Sequence, residues 1–297
     1  MKSSGFLLIR AFWFVFILCP MVTFAICYWM WVDQDCRAFL PFLSDFGLQG
    51  AMRDVFVVGL AATSCLVLCV STLHFCVFRR VLCLLRVGQC ISALSVYIFS
   101  MECVAALSIG ALPLYPWDEN LEVHFIFAGG IMFGGLPLII GNFVLLYQLG
   151  KLHPLKSSTS WRILRNAQGL IMLVNVSSAI SMIPSASVAL RHEEYGIVQD
   201  AYVYSQDWGE FCSTLYDDAE TLLALLEWMY VLSLMISFGL SLPEYEILYG
   251  LIGTLEAEVV KEIGQTKKIG HGLIGALEAE VKETGETKHQ RCEPDDG

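Results

Sequence analysis

Two carboxylates buried in apolar sequence are the residues of this chain best placed to do chemistry. Glu102 and Glu227 lie well inside long apolar runs, His124 opens another such run, and Asp45 stands in a short connection between two more. An acid within a membrane span costs roughly 2.5 to 3.5 kcal/mol on insertion scales, so it usually faces a bundle interior or an aqueous cavity. Glu102 precedes Leu112 by ten residues and Glu227 follows Thr221 by six. At about 1.5 Å per residue both fall about 9 to 15 Å below the same end of their helices. Brought together, Asp45, Glu102, His124 and Glu227 would form one polar layer that carries protons or binds a lipid head group or a cation. The plainer alternative is that each acid accepts a hydrogen bond from a neighbouring hydroxyl and only fixes packing. Ser100 and Ser108 on the same helix, or Ser177 and Ser178 on another, could supply it.

Harder chemistry has little support. A catalytic zinc takes three protein ligands, usually His-rich, and of six histidines only His124 and His192 lie on the side of Asp45. There is no Gly-x-Ser-x-Gly elbow, no His-Glu-x-x-His and no phosphate-cradling glycine loop. The residues therefore lean toward a protein that is not an enzyme, with no metal and no cofactor.

The elements that must position these groups are transmembrane helices. The 297 residues are 56% hydrophobic with a mean hydropathy of +0.61, against roughly 45 to 50% apolar in soluble domains. Apolar runs cover about 6–31, 55–78, 87–112, 124–149, 167–190 and 221–242, each long enough to cross about 30 Å of hydrocarbon as a helix. The fold class expected is an all-α membrane protein, a bundle of six transmembrane helices. The first run is read as a retained span. It exceeds the h-region of a signal peptide and ends in Tyr28, Trp29 and Trp31 instead of small residues.

Charge sets the orientation. Lys2, Arg10, Arg79, Arg80, Arg86, Lys151, Lys156, Arg162 and Arg165 fall on one side, against Arg37, Arg53 and Arg191 on the other. The positive-inside rule then puts both termini in the cytosol and the connections at 33–54, 118–122 and 191–220 outside or in a lumen. The formal charge of -11 reports this distribution of acids and not a basic partner. With no basic stripe, nucleic-acid binding is not expected.

Two domains follow: a six-span membrane domain at 1–242 and an acidic cytosolic tail at 243–297. The tail repeats LIGTLEAEV, from Leu251, as LIGALEAEV, from Leu273, so the period is 273 minus 251, or 22 residues. Two copies are too few for a solenoid. Apolar residues four apart predict a short amphipathic helix in each copy, stable only against a cytosolic partner or the bilayer. The intervening glycines predict a mostly disordered tail.

Cys36 and Cys212 are the cysteines assigned to the oxidising side and are the disulfide candidates. Cys76 and Cys83 flank Arg79 and Arg80, a setting for palmitoylation or for ordinary packing. Asn175-Val176-Ser177 matches a glycosylation sequon but lies within a span, so no N-glycan is expected. Tyr245 and Leu248 fit the Tyr-x-x-apolar form that clathrin adaptors read as an extended strand. Either this is a sorting signal, which favours lysosome or endosome, or Tyr245 is a juxtamembrane anchor.

Three local matches make the chain resemble the FRAG/DRAM/Sfk family of six-span proteins, whose domain also begins the yeast Cwh proteins. Pro41-Phe42-Leu43-Ser44-Asp45-Phe46-Gly47 is similar to the family's Pro-Phe-Ile-Ser-Asp-Thr-Gly, with Phe46 where Thr is usual. The fourth run opens with His124 before an aromatic, glycine-rich stretch, and the sixth holds Glu227-Trp228, like the family's Cys-Glu-Trp. The resemblance implies a shared outward polar layer of Asp45, His124, Glu227 and Trp228, with membrane lipids as its natural partners. It implies a DRAM-like modulator of autophagy or endolysosomal trafficking. The alternatives are a GPI-anchor lipid-remodelling factor of the ER or Golgi binding a lipid head group, and a plasma-membrane scaffold that localises a phosphoinositide kinase.

Overall fold

In the computed structural model the described residues are 3–34, 36, 41–48, 50–85, 88–117, 119–151, 158–189 and 218–289. They form six long helices: α1 (Ser3–Asp33), α2 (Gly50–Leu84), α3 (Gln89–Ala111), α4 (Leu121–Leu149), α5 (Thr159–Ala189) and α6 (Asp218–His289). No strand occurs among the described residues. All six helices are long and apolar enough to cross a membrane, so the chain is an all-α, multi-pass membrane protein. Most helices outrun their apolar runs, because hydropathy marks the hydrocarbon-facing part while intrahelical hydrogen bonding continues into the polar flanks.

Local sequence explains the helix starts. The Asn120 side chain accepts a hydrogen bond from Val123 N at 3.2 Å and caps α4. Ser158 Oγ does the same for Trp161 N at the start of α5, and each cap contributes about 1 kcal/mol. Gly50, at φ 52°, turns the chain into α2 through backbone space that side chains disfavour.

The compact unit Met1–Leu248 carries the bundle. Helices α1 to α5 pack in chain order, and α6 joins them through side chains. Phe16 of α1 meets Phe238 with ring centroids 5.7 Å apart. Asn175 of α5 donates to Tyr230 O and Ser233 Oγ at 3.1 and 2.8 Å, and Tyr230 Oη donates to the Met132 carbonyl of α4 at 3.1 Å. Arg10 pairs with Glu246 at 2.7 Å, which sets the start of α1 beside residue 246 at one end of the bundle. Large apolar side chains such as Phe14, Phe133, Ile163 and Leu170 point outward, as a lipid-facing surface requires.

Of the two glycine pairs in α4, Gly134 and Gly135 bring helices into close contact. A Cβ on Gly134 would lie 2.9 Å from Met101 O and from Ala105 Cβ of α3, and one on Gly135 would run into Tyr230 Oη. Gly130 abuts Ser108, whereas a Cβ on Gly129 would meet only its own helix's Phe133, at 3.8 Å.

Pro243 does not end α6. It removes one helical donor, the partner of the Gly239 carbonyl, and the helix continues beyond it. The second unit, Tyr249–Gly297, is helical through His289 and includes both repeat copies. The expectation of a mostly disordered tail is thus corrected. Its glycines each cost about 1 kcal/mol relative to Ala, but they are separated by Leu, Ala, Glu and Lys, strong helix formers.

Candidate functional site

The connection between α1 and α2 builds the site. Pro41 to Leu48 fold around a 3-10 turn, Leu43–Gly47, held by Asp45. One carboxylate oxygen, Oδ2, accepts from Phe42 N at 3.0 Å, and Oδ1 accepts from Trp117 Nε1 at 3.2 Å. Asp45 is 1% exposed, a burial tolerable for an acid only when its acceptor sites are met. Phe46 is fully buried and meets Trp31, Phe56 and Trp228 edge-on with centroids 6.2 to 6.4 Å apart.

Helix α6 clamps this turn from the far end of the sequence. Glu227 Oε2 accepts from Leu43 N at 2.9 Å, and Trp228 Nε1 donates to the Pro41 carbonyl at 2.7 Å. The two adjacent residues, on different faces of one helical turn, thus satisfy a donor and an acceptor of the same loop. The loop motif and the Glu-Trp pair, separate signals in the sequence, are one bonded unit. His124 lies at the start of α4, and its Nδ1 sits 2.8 Å from the Tyr115 carbonyl. A carbonyl only accepts, so Nδ1 carries the proton and Nε2 of the neutral ring is an acceptor.

A cavity of about 400 Å³ lies against these groups. Asp45, His124, Glu227 and Trp117 form its polar end, and Leu60, Val67, Phe16 and Phe238 line the remainder. From Glu227 to Phe238 the helix rises about 16 Å. Neither Glu227 Oε1 nor His124 Nε2 has a hydrogen-bond partner among the described residues, and both residues line the cavity. The chamber is therefore amphipathic along its length, with acceptor atoms at one end.

Glu102 does not join them, contrary to the single layer expected. It lines a separate small recess with His74, Ser71 and Asn142, and it is close enough to His74 and Glu244 to interact with both electrostatically. Depth along a helix is readable from sequence, but the direction a side chain faces depends on rotation about the axis, which near-uniform apolar helices leave unmarked. Glu244 was missed because the sixth run was closed at Pro243. The signal was present in Ile247, Leu248 and Leu251, which continue the apolar run beyond it.

The other candidates fall as follows. Cys36 is disulfide-bonded, while Cys212 lies outside the described residues. Cys76 and Cys83 are free and exposed. Asn175 is fully buried, with its amide engaged by α6. Tyr245 and Leu248 are helical and buried, 5% and 0% exposed, with the Tyr245 ring tilted against Trp13 at a centroid distance of 5.4 Å. An adaptor reads such a motif as an extended, accessible strand, whereas here both residues face into the bundle from a helix.

Fold and site together define a polytopic membrane protein with an amphipathic chamber closed at one end by a bonded loop. The sequence matches the Frag1/DRAM/Sfk1/Cwh43P N-terminal domain over residues 9–246. The chain belongs to that family. No match to a curated protein or to a solved structure was found.

Proposed function

We propose that this is a non-enzymatic membrane protein that holds one lipid and modulates autophagy or endolysosomal membrane trafficking. The observation that carries the lipid reading is the chamber, mostly apolar over about 16 Å, with its ionisable groups Asp45, His124 and Glu227 at one end and the Thr63 and Tyr230 hydroxyls on its wall already donating to backbone carbonyls. Two carboxylates repel a bare phosphate, and open acceptors call for donors. The head group best suited is accordingly rich in ammonium or hydroxyl groups. With the basic connections in the cytosol, this polar end faces the lumen or the exterior. The trafficking role is supported by the family.

A second reading, a GPI-anchor lipid-remodelling factor of the ER or Golgi, is favoured by the same donor-rich head-group chemistry and by the Cwh43P component of the matched family. Native mass spectrometry of the purified protein tests the common premise. Wild type retains one lipid, and Ala128→Trp, which fills the chamber wall, and Glu227→Gln retain at least about tenfold less, a change of roughly 1.4 kcal/mol. Equal retention by wild type and Ala128→Trp overturns the premise. In cells lacking the protein, autophagic turnover rescued by wild type but not by Ala128→Trp supports the first reading. Depleted surface GPI-anchored proteins support the second.

A further inference from the structure

The recess holding Glu102 contains chemistry that the chamber does not use. His74 of α2, Glu102 of α3 and Glu244 of α6 are 5%, 3% and 1% exposed. His74 Nε2 lies 3.4 Å from Glu244 Oε1, yet His74 Nε2 and both Glu244 oxygens lack a hydrogen-bond partner among the described residues. Ser71 Oγ of the recess is open as well, and since buried polar atoms are nearly always paired, four open ones in one place need an explanation. The adjoining space, lined by Ser71, Asn142 and Ser237, is about 10 Å³, close to the room one water occupies.

Charge decides what the cluster holds. With both carboxylates ionised and the imidazole cationic, the trio would carry one net negative charge inside hydrocarbon, where an uncompensated charge is costly. No Lys or Arg lines the recess. The facing groups on the packed elements are Cys103 beside Glu102 on α3, Asn142 on α4 and, through Ser237, Gln168 on α5; Tyr245, next to Glu244 on α6, packs on Trp13 of α1. The nearest cation on α1, Arg10, is engaged by Glu246. Among the described residues no group of His, Cys, Asp and Glu is arranged to hold a metal ion. One additional proton neutralises the trio, leaving an imidazolium, one carboxylate and one carboxylic acid.

We propose that His74, Glu102 and Glu244 form an intramembrane proton-binding site that exchanges one proton with water through this recess. On protonation one carboxylate oxygen takes a proton from hydronium, leaving water, and its C–O–H becomes a donor to the neighbouring acceptor; on release a water accepts the proton and becomes hydronium. Nothing is oxidised or reduced. The site draws its three groups from three helices of the bundle, with Phe238 standing between the recess and the chamber.

Infrared difference spectroscopy of the full-length protein in nanodiscs tests it. Wild type shows a protonated-carboxyl band that shifts in D2O and disappears as pH rises. Glu102→Gln or Glu244→Gln removes that band, and His74→Asn moves its titration, with folding checked by gel filtration. Absence of the band in wild type at every pH overturns the proposal, as does its persistence in both glutamine variants. Displacement of the band by sodium at constant pH also overturns it, because the site would then hold a metal cation. The wild-type arm stands even where a variant fails to fold.

Discussion

At the residue scale, the bonded loop rests on groups that act as structural connectors as well as chamber lining. Glu227 satisfies Leu43 N with one oxygen and presents the other to the cavity. Glu227→Gln keeps the size and an acceptor, so it should destabilise less than Glu227→Ala, which leaves Leu43 N–H without its partner. Hydrogen bonds to charged groups contribute about 1.5 to 3 kcal/mol net. Thermal unfolding in detergent should place wild type, Gln and Ala in that descending order. Phe46 offers a sharper case, since it fills a buried aromatic cluster. Phe46→Thr should cost about 3 kcal/mol, within the range for emptying an aromatic site, and Phe46→Leu less, measured by the same unfolding experiment.

At the element scale, close helix contact predicts a graded response in α4. Gly134→Ala would push a methyl against the α3 backbone and should cost about 1 to 3 kcal/mol by overpacking. Gly129→Ala, with open space before it, should leave the unfolding midpoint unchanged or raise it. The spans were legible because lipid demands long apolar helices. Asp45, His124, Glu227 and Trp228 were legible as a group because their local motifs are distinctive. The separation of Glu102 from them was not, since helices apolar on every side carry no mark of which face turns inward. The continuation of α6 past Pro243 was missed for a related reason: a proline removes one helical hydrogen bond, but packing on both sides of it, Phe238 on Phe16 and Tyr245 on Trp13, holds the helix in place.

At the scale of the whole molecule, the compact unit ends at Leu248 and the tail forms a second unit. A chain ending after Leu248 should therefore reach the membrane and keep its unfolding midpoint and its bound lipid. A lower midpoint on truncation would show that the bundle depends on the tail. Orientation can be read with exposed Cys90, at the turn between α2 and α3. A membrane-impermeant maleimide should label it once the plasma membrane alone is opened and internal membranes stay sealed, and labelling only after those are opened too would reverse the orientation. The clamp on the first loop also has a consequence in time. Leu43 and Glu227 are 184 residues apart, and at about 5 to 20 residues per second the ribosome takes about 10 to 40 s to make the second after the first. Throughout that interval the nascent loop has no clamp, so the chamber cannot close until the sixth helix has been inserted, and a chain released early leaves the ribosome with its mouth unfastened.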